Sequence, residues 1–410
     1  MKKILVIFAL AMLALPAKSQ GFSSVCESGQ ELYYRITNVD KHYVEITLPH
    51  KYNLYSQDNF GTWQNHVKPV GDVVIPSQVA YKGVVYTVTG MDASTFHSCS
   101  EMTSVVIPNT VTYIGHSAFY GCEQLASVSI PSSVTTIGYY AFYGCKALKS
   151  VTIPFGVTTV KYWAFANTGL KEIEIPNSVT FLGYWAFADT DIKEIYIPAS
   201  LTKITHIGGP FDKITVSPDN PVYDSRNDCN AIITREGDTL ILGSDKTVMP
   251  DDVKAIGSYA FYNCKNLKTI TIPSSVSYIG EVAFKQSGLE TVTIPATVKC
   301  IAGAAFSECK DLKSMLIESP ATNMTCGSYD VLGAITDCPN LTISLATTSL
   351  KIESGKYTIE TWSWEDGSSS GDAVYRFIVP CGTAESFKNS DWGKMFEFRD
   401  DCDQKPEPEE

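Results

Sequence analysis

Residues 125–148 read LASVSIPSSVTTIGYYAFYGCKAL and contain two landmarks, the dipeptides Ile130-Pro131 and Ala141-Phe142. The Ile-Pro dipeptide recurs with its proline at Pro108, Pro131, Pro154, Pro176, Pro198, Pro273 and Pro295. The Ala-Phe dipeptide recurs in phase with it, at Phe119, Phe142, Phe165, Phe187, Phe261, Phe284 and Phe306, and Phe96 extends this landmark series one step towards the N-terminus. Two landmarks that keep a fixed offset over seven copies identify an internal repeat of 22 or 23 residues.

Each repeat predicts a strand followed by a return turn. Val128 and Ile130 alternate with serines, which is the period of a strand buried on one face. Pro131 ends that strand because it has no N–H to give to a neighbouring strand. A spacing of four then predicts a short helical turn carrying Ile137, Ala141 and Cys145. Such a unit cannot bury its own apolar face, so we expect stacked coils that form a continuous parallel sheet.

The consensus L-x-x-V-x-I-P-x-x-V-x-x-I-G-x-x-A-F-x-x-C resembles the BspA-type leucine-rich repeat of bacterial surface proteins over residues 75–318. The segment Asn220–Asn227, followed by Asn230–Ile233, resembles an insertion that recurs in that family. The resemblance implies a leucine-rich-repeat solenoid with its parallel sheet on the concave face and helical turns opposite. It also implies a secreted or surface-attached interaction protein, adhesive in some relatives, and it carries no catalytic residue across.

The landmarks divide the chain into five parts. We expect a signal peptide at 1–19, an N-terminal β cap at 20–74, the solenoid at 75–318, degenerate repeats with a C-terminal cap at 319–399 and an acidic tail at 400–410. Between Phe187 and Phe261 the period fails, and residues 217–247 are interpreted as an inserted segment. Within it, strands on either side of Arg235-Glu236-Gly237-Asp238 predict a β-hairpin that leaves the solenoid as an excursion.

The N-terminus predicts export. Lys2 and Lys3 precede a short apolar run, Ile4–Leu15, and small residues follow at Ala17-Lys18-Ser19. The apolar run is too short to span a bilayer, so we expect no membrane span. The formal charge is −12 and becomes −15 when the three lysines of the signal are removed. An acidic protein repels phosphate backbones, which argues against nucleic acid as a partner.

Known catalytic and metal-binding patterns are weak or absent. The six histidines have no metal-ligand spacing. Gly367–Gly371 matches G-x-S-x-G, but a Gly/Ser-rich loop surrounds it instead of a strand and a helix. Asp224, Asn227, Asp228 and Asn230 could offer oxygens to calcium or simply favour turns. We therefore predict no catalytic residues, no metal and no cofactor.

The cysteines follow the repeat. Cys99, Cys122, Cys145, Cys264 and Cys309 each lie three residues after a landmark phenylalanine, where sister coils have Thr168, Thr190 and Ser287. A position that accepts Cys, Thr or Ser requires a small inward side chain instead of a metal ligand. The remaining cysteines allow disulfides, with Cys381–Cys402 and Cys326–Cys338 both conceivable.

Aromatic pairs directly before Ala-Phe are the first candidate binding residues: Tyr139 and Tyr140, Tyr162 and Trp163, Tyr184 and Trp185. Stacked coils should align them into a stripe, and Tyr and Trp dominate binding hot spots. They could also lie flat against sugar rings. The alternative is that Tyr140, Trp163 and Trp185 only pack between coils, whereas Tyr139, Tyr162 and Tyr184 are exposed.

The outward face of the predicted sheet is the second candidate surface. Its charged and aromatic positions are Lys149, Lys171, Glu172, Glu174, Lys193, Glu194 and Tyr196. The alternative interpretation is a solvated sheet face without a partner.

Three functions are consistent with the sequence. The favoured one is a monomeric binding protein for an extracellular protein or glycan. A structural spacer at the cell surface is the alternative. A polysaccharide hydrolase is remote, because it needs two carboxylates in a cleft and Glu172, Glu174 and Glu194 repeat like decoration.

Overall fold

The chain forms a β-solenoid of about ten stacked turns of about 23 residues, which confirms the predicted leucine-rich-repeat solenoid. The computed structural model describes residues 21–49, 63, 66–209, 211–318, 338, 341–345, 351–353, 376–379, 385 and 397–400. Two compact units, Met1–Thr190 and Asp191–Glu410, are called unit 1 and unit 2. The predicted signal peptide, the 367–371 motif and tail residues 401–410 lie outside the described residues, as does most of 319–399.

The described part of unit 1 has twelve strands. They are β1 Gly21–Val25, β2 Glu31–Asn38, β3 Tyr43–Thr47, β4 Gly71–Val74, β5 Gln78–Tyr81, β6 Val84–Met91, β7 Met102–Val106, β8 Tyr113–Ile114, β9 Ser127–Ser129, β10 Thr136–Ile137, β11 Thr159–Val160 and β12 Phe181–Leu182. Strands β1, β2 and β3 pair antiparallel, and β3 then pairs parallel with β6. From β6 a parallel ladder continues through β8, β10, β11 and β12. Strand β5 pairs antiparallel with β6, and a separate parallel sheet has the order β4-β7-β9.

Unit 2 has fifteen strands among its described residues. They are β13 Glu194–Ile197, β14 Lys203–Ile204, β15 Lys213–Val216, β16 Tyr223–Asp224, β17 Ile232–Thr234, β18 Thr239–Leu242, β19 Ala255–Ile256, β20 Tyr278–Ile279, β21 Thr291–Ile294, β22 Cys300–Ile301, β23 Ser314–Ile317, β24 Thr342–Leu345, β25 Lys351–Glu353, β26 Arg376–Val379 and β27 Glu397–Asp400. Its sheets have the orders β13-β15, β16-β17-β18-β19-β20-β22, β21-β23-β24 and β25-β26-β27.

The hairpin of the inserted segment belongs to the solenoid, so its interpretation as an excursion is wrong. Strands β17 and β18 pair antiparallel, and β18 then pairs parallel with β19. Ile232, Ile233, Leu240 and Leu242 are buried, which ties both strands to the core of unit 2. The hairpin therefore covers the first rung of the ladder, as the antiparallel strands β1–β3 do in unit 1.

The longest ladder of unit 1 lies elsewhere than predicted. The strand expected before each Ile-Pro dipeptide forms as β7, β9, β13 and β21, whereas residues 149–154 and 171–176 form no strand. The ladder instead uses the two-residue strands that follow each proline, such as Thr136–Ile137. There the hydroxyl of Thr135 donates to the carbonyl of Thr112 in the preceding coil at 3.2 Å, and Thr158 donates to Thr135 in the same way. A threonine row thus stabilises the coil stack.

The predicted helical turns are wrong as well. Apart from the single helical residue Glu385, the helical structure in the described residues is a 3-10 turn at Arg226–Asp228. Two residues per coil have left-handed backbone, and in one coil these are Tyr140 at φ 54° and Gly144 at φ 75°. Alternating backbone of this kind cannot form a helix, because each left-handed residue turns its peptide groups away from the preceding turn. The spacing of four between Ile137, Ala141 and Cys145 therefore arises from two tight turns, whose left-handed residues are also four apart, and not from a helix.

Hydrogen bonds between coils run in two directions. In the turns, the N–H of Phe119 donates to the carbonyl of Ala141 in the next coil at 2.7 Å, and Phe142 donates to Ala164 at 2.8 Å. In the ladder, the N–H of Thr135 donates to Thr112 of the preceding coil at 2.9 Å. Each coil is therefore bonded to its neighbours through both faces of the stack.

The landmark phenylalanines fill the core of each unit. Phe119 and Phe142 are fully buried and stack with ring centroids 5.1 Å apart. The same spacing, 5.0 to 6.0 Å, holds for the pairs Phe96–Phe119, Phe142–Phe165, Phe165–Phe187, Phe261–Phe284 and Phe284–Phe306. The inward orientation of this series confirms the stacking that the sequence predicts.

Cysteines line the core beside the phenylalanines as small buried side chains. The thiols of Cys122 and Cys145 donate to the carbonyls of Phe96 and Phe119 in the preceding coil, at 3.1 and 3.2 Å. Cys338 contacts the carbonyl of Phe306 in the same way, at 3.1 Å. Cys300, one of the remaining cysteines for which the sequence allowed a disulfide, is disulfide-bonded. Cys326, Cys381 and Cys402 lie outside the described residues.

Candidate binding surfaces

Three of the predicted aromatic residues stack into a row in unit 1. The rings of Tyr140 and Trp163 lie 6.0 Å apart with planes 7° apart, and those of Trp163 and Trp185 lie 5.6 Å apart with planes 25° apart. All three side chains are half-buried. Coil stacking brings them together because each occupies the same position, two residues before a landmark phenylalanine.

A second row, which the sequence reasoning missed, adjoins the first. His97 stacks on Tyr120 at 4.7 Å, and Tyr120 stacks on Tyr143 at 4.9 Å. Tyr143 meets Tyr140 and Trp163 edge to face, at 5.7 and 6.4 Å. The signal was present in the sequence, since His97, Tyr120 and Tyr143 each directly follow a landmark phenylalanine. We call these six residues the aromatic ridge: His97, Tyr120, Tyr140, Tyr143, Trp163 and Trp185.

The backbone of the ridge is strained. Tyr140, Trp163 and Trp185 have φ of 54°, 60° and 57°. A bulky side chain in this left-handed region costs about 1–2 kcal/mol per residue, and such outliers persist only where the surroundings impose them. Here the surroundings are the ring stack and the hydrogen bonds between coils, such as Tyr140 N–H to the carbonyl of Tyr162 at 3.1 Å.

The residues next to the ridge differ in exposure. Tyr139 and Tyr162 are 40% and 39% exposed and meet edge to face at 5.3 Å, whereas Tyr184 is half-buried. The ammonium group of Lys161 lies over the ring of Tyr139 at 5.7 Å and over the ring of Phe181 at 5.4 Å. These cation–π contacts give the surface around Tyr139 and Tyr162 a fixed positive charge.

The histidines of this region are neutral at physiological pH. Burial lowers the pKa of His97, with a smaller contribution from the charge of Lys68. Burial also lowers the pKa of His116, which contacts the rings of Tyr139 and Tyr140. Because neither imidazole is charged near pH 7, the positive charge of this surface comes from lysines, Lys161 beside Tyr139 and Lys68 beside His97.

The ring geometry decides what the ridge can recognise. Stacked rings present their faces to one another, so the parallel stacks leave edges and polar atoms for a partner. A sugar ring packs against an aromatic face, and the faces within these stacks are already used. The ridge therefore suits a surface that meets aromatic edges, phenol hydroxyls and indole N–H groups.

The second predicted surface is divided between the units. In unit 1 the side chains of Lys149, Lys171, Glu172 and Glu174 are exposed, on segments that form no strand. In unit 2 the exposed residues are Lys193, Glu194 and Tyr196, of which the latter two lie on β13. Glu194 pairs with Lys213 of β15 at 3.7 Å.

The oxygens considered for calcium make other contacts. Both carboxylate oxygens of Asp224 accept hydrogen bonds from the Arg226 guanidinium, at 2.9 and 3.0 Å. The side-chain oxygen of Asn230 accepts from the N–H of Ile214 at 2.6 Å. The described residues contain no group of three or more His, Cys, Asp or Glu side chains placed to hold a metal ion.

No helix in the described part of the chain is long and apolar enough to cross a membrane.

Comparisons with known proteins agree with this architecture. The family model "BspA type Leucine rich repeat region" matches six copies over residues 89–207 and 244–361, which is more than half of the chain. No curated protein matches the sequence.

Solved structures share the fold. A leucine-rich repeat protein from Eubacterium ventriosum is 22% identical, with a TM-score of 0.54 over 80% of this chain and 78% of that one. A leucine-rich cell surface protein from Faecalibacterium prausnitzii is 24% identical, with a TM-score of 0.53 over 79% of this chain and 95% of that one. The pneumococcal vaccine antigen PcpA is 16% identical, with a TM-score of 0.61 over 90% of this chain and 96% of that one. The repeat, the stacked phenylalanine core and the family match lead to one conclusion: the chain belongs to the BspA-type leucine-rich repeat family.

Proposed function

We propose that this chain is an exported, non-catalytic binding protein that docks a protein partner on the aromatic ridge of unit 1. The observation that carries the proposal is the ridge itself, six half-buried rings from consecutive coils beside exposed Tyr139 and Tyr162. Rigid Tyr and Trp side chains bury large areas at low entropic cost, and they are enriched in binding hot spots.

A protein partner is favoured over a glycan by the orientation of the rings. The ridge stacks use their ring faces internally, and Lys161 occupies the faces of Tyr139 and Phe181. A protein can contact aromatic edges, hydroxyls and the Lys161 charge with its own mixed side chains. Export is supported by the basic, apolar and small-residue pattern of residues 1–19, and by the one cell surface protein named among the structures reported above.

The test is a binding screen of the exported protein against extracellular-matrix proteins and a glycan array. The four-fold variant Tyr162→Ala/Trp163→Ala/Tyr184→Ala/Trp185→Ala is measured beside it, with circular dichroism to verify its fold. We expect protein binding that the variant weakens at least about tenfold, as hot-spot removal does. Phe155→Ala is the matched control, because Phe155 is a 73% exposed aromatic outside the ridge.

Three outcomes would contradict the proposal. Unchanged binding by the folded four-fold variant removes the Trp163–Trp185 end of the ridge and the adjoining Tyr162 and Tyr184 as the site. Binding to glycans alone removes the protein partner. Absence of any binding favours the alternative, a structural spacer, which is supported by the internal use of the ring faces.

A further inference from the structure

Unit 2 contains a polar cleft that neither the repeat pattern nor the proposed function explains. Its volume is about 390 Å³, and it is open to solvent. Three consecutive coils contribute its principal lining residues: Asn263, Lys265, Gln286, Gly288, Glu308 and Lys310. This volume lies within the range of small-ligand sites.

The cleft exists because one coil has no side chain where its neighbours have lysine. Lys265, Gly288 and Lys310 occupy the same position, four residues after a landmark phenylalanine. Glycine is required at 288, because a Cβ atom there would collide with the backbone carbonyl oxygen of Lys265. The two lysines are two coils apart, a backbone separation of about 10 Å, with the glycine between them.

Both acidic residues of the cleft lining are paired with lysines outside the lining, so the lysines of the lining can bind an anion. Glu308 accepts a hydrogen bond from Gln286 at 2.6 Å and pairs with Lys285 at 2.9 Å. The hydrogen bond from Gln286 and then that from Lys285 lower the pKa of Glu308, so its carboxylate is ionised and already neutralised. The other acidic residue of the lining, Asp311, pairs with Lys268 at 3.0 Å.

The two lysines that flank Gly288 are not neutralised in this way. Among the residues that the structure describes, neither Lys265 nor Lys310 forms an ion pair, although the charge of Lys310 makes a small contribution to the lowered pKa of Glu308. The side-chain amide of Asn263 makes no hydrogen bond within the same set of residues. In unit 1 the equivalent Lys146 is paired with Glu123 at 2.9 Å, so the available ammonium groups are a feature of this cleft.

We propose that this cleft binds a carboxylate-bearing sugar, such as a uronic-acid unit of an acidic oligosaccharide. The carboxylate lies between the ammonium groups of Lys265 and Lys310, and Asn263 hydrogen-bonds the sugar hydroxyls. A sugar fits better than an acidic peptide, because the lining is polar and offers no apolar pocket for a peptide side chain. The site lies in unit 2, so it is independent of the aromatic ridge.

The affinity of one sugar unit is expected to be modest and dependent on salt. Both lysines are exposed, and exposed ion pairs are weak and screened by salt. The chain is also acidic overall, with a formal charge of −12, which disfavours anions away from this cleft. Useful affinity requires several acidic units on one ligand.

The test titrates a trigalacturonate into the full exported chain by calorimetry, at low and at physiological ionic strength. Neutral galactotriose and a short polyglutamate peptide are titrated in parallel. We expect trigalacturonate to bind most tightly and to lose affinity with salt. Lys265→Gln and Lys310→Gln should each weaken it about two- to fivefold, and Lys310→Glu should weaken it more.

Lys299→Gln is the matched control, because Lys299 is an exposed lysine of unit 2 beside β22 and away from the lining. Thermal melting verifies that all variants fold. Absence of trigalacturonate binding, equal binding of galactotriose, or unchanged affinity in both lysine variants overturns the site. Tighter binding of polyglutamate overturns the sugar and indicates an acidic peptide.

Discussion

The indole of Trp163 stacks on the indole of Trp185 in the next coil, with centroids 5.6 Å apart and both residues in left-handed backbone. Each ring covers a face of the other, so the pair contributes to the cohesion of the coils. What remains for a partner is the rim of the stack.

This pair predicts a measurable coupling in stability. Trp163→Ala should lower the free energy of unfolding of the chain by about 2 kcal/mol, less than for a fully buried tryptophan because the side chain is half-buried. A double-mutant cycle with Trp185→Ala, measured by urea denaturation, should give a coupling of about 1 kcal/mol. Additive single-variant effects would show that the two indoles do not stabilise one another.

The left-handed backbone predicts a stabilising glycine. Ala304 has φ 55°, and its methyl group is small enough that little packing is lost on removal. Ala304→Gly should raise the free energy of unfolding by about 0.5–1 kcal/mol, because relief of backbone strain exceeds the entropy that glycine adds to the unfolded chain. Ala305→Gly, at the buried neighbour, is the control and should destabilise. Thermal melts of both variants measure whether each one stabilises or destabilises the protein. A destabilising Ala304→Gly would contradict the prediction that the left-handed backbone at Ala304 is strained.

The cysteine row predicts thiols that do not react in the native protein. Burial raises the pKa of the Cys122 thiol to about 12 and raises that of Cys145 well above its usual range. Because the thiolate is the reactive form, both cysteines should resist alkylation at pH 8 and become modified only after denaturation. Mass spectrometry after iodoacetamide treatment measures this. Rapid native labelling of either residue would show that the core is open at these coils.

Substitution at the same position tests its size limit. Cys145→Thr should cost less than about 1.5 kcal/mol, because Thr168 and Thr190 occupy this position in sister coils and donate to the carbonyls of Phe165 and Phe187. Cys145→Leu should cost about 1–3 kcal/mol through overpacking against the phenylalanine stack. Chemical denaturation gives both values. Equal costs for Thr and Leu would disprove the requirement for a small side chain.

The burial of His206 predicts that unit 2 loses stability in acid. Burial lowers the pKa of His206 to about 3, against about 6.5 in an unfolded chain. Between these two values the unfolded chain binds a proton that the folded chain does not, so stability is present above pH 6.5 and is lost as the pH falls. From pH 6.5 to 4.5 the native protein should lose about 2 kcal/mol more than His206→Gln, measured by urea denaturation at each pH. Parallel pH profiles would show that His206 is protonated in the folded state.

The repeat allowed the coil stack and its phenylalanine core to be predicted, because a side chain that recurs in phase must face the same way in every coil. The helical turns were predicted wrongly, since a spacing of four suits a helix and a pair of tight turns equally. Residues that tolerate left-handed backbone did mark the turns, at Gly121, Gly144, Asn167, Asp189 and Asn263. The tyrosines and tryptophans in the same conformation gave no such warning, because bulky residues rarely adopt it.

Only one of the two rows of the aromatic ridge was predicted from the sequence. Tyr140, Trp163 and Trp185 could be aligned from the repeat alone, whereas their junction with the second row through Tyr143 depends on how the turn folds back. The cleft of unit 2 could not be predicted, because it requires both the absent side chain of Gly288 and the knowledge of which lysines lack a partner. Which charged side chains pair between coils depends on their conformations, and the repeat pattern does not determine these.

The opposed directions of the bonds between coils affect the electrostatics of the whole stack. In an α-helix all peptide dipoles point the same way and leave partial charges at the two ends. Here the donors in the turns, such as Phe119, point towards the next coil, while those in the ladder, such as Thr135, point towards the preceding one. The two sets of dipoles partly cancel, so coils can be gained or lost during evolution without building up charge at the ends.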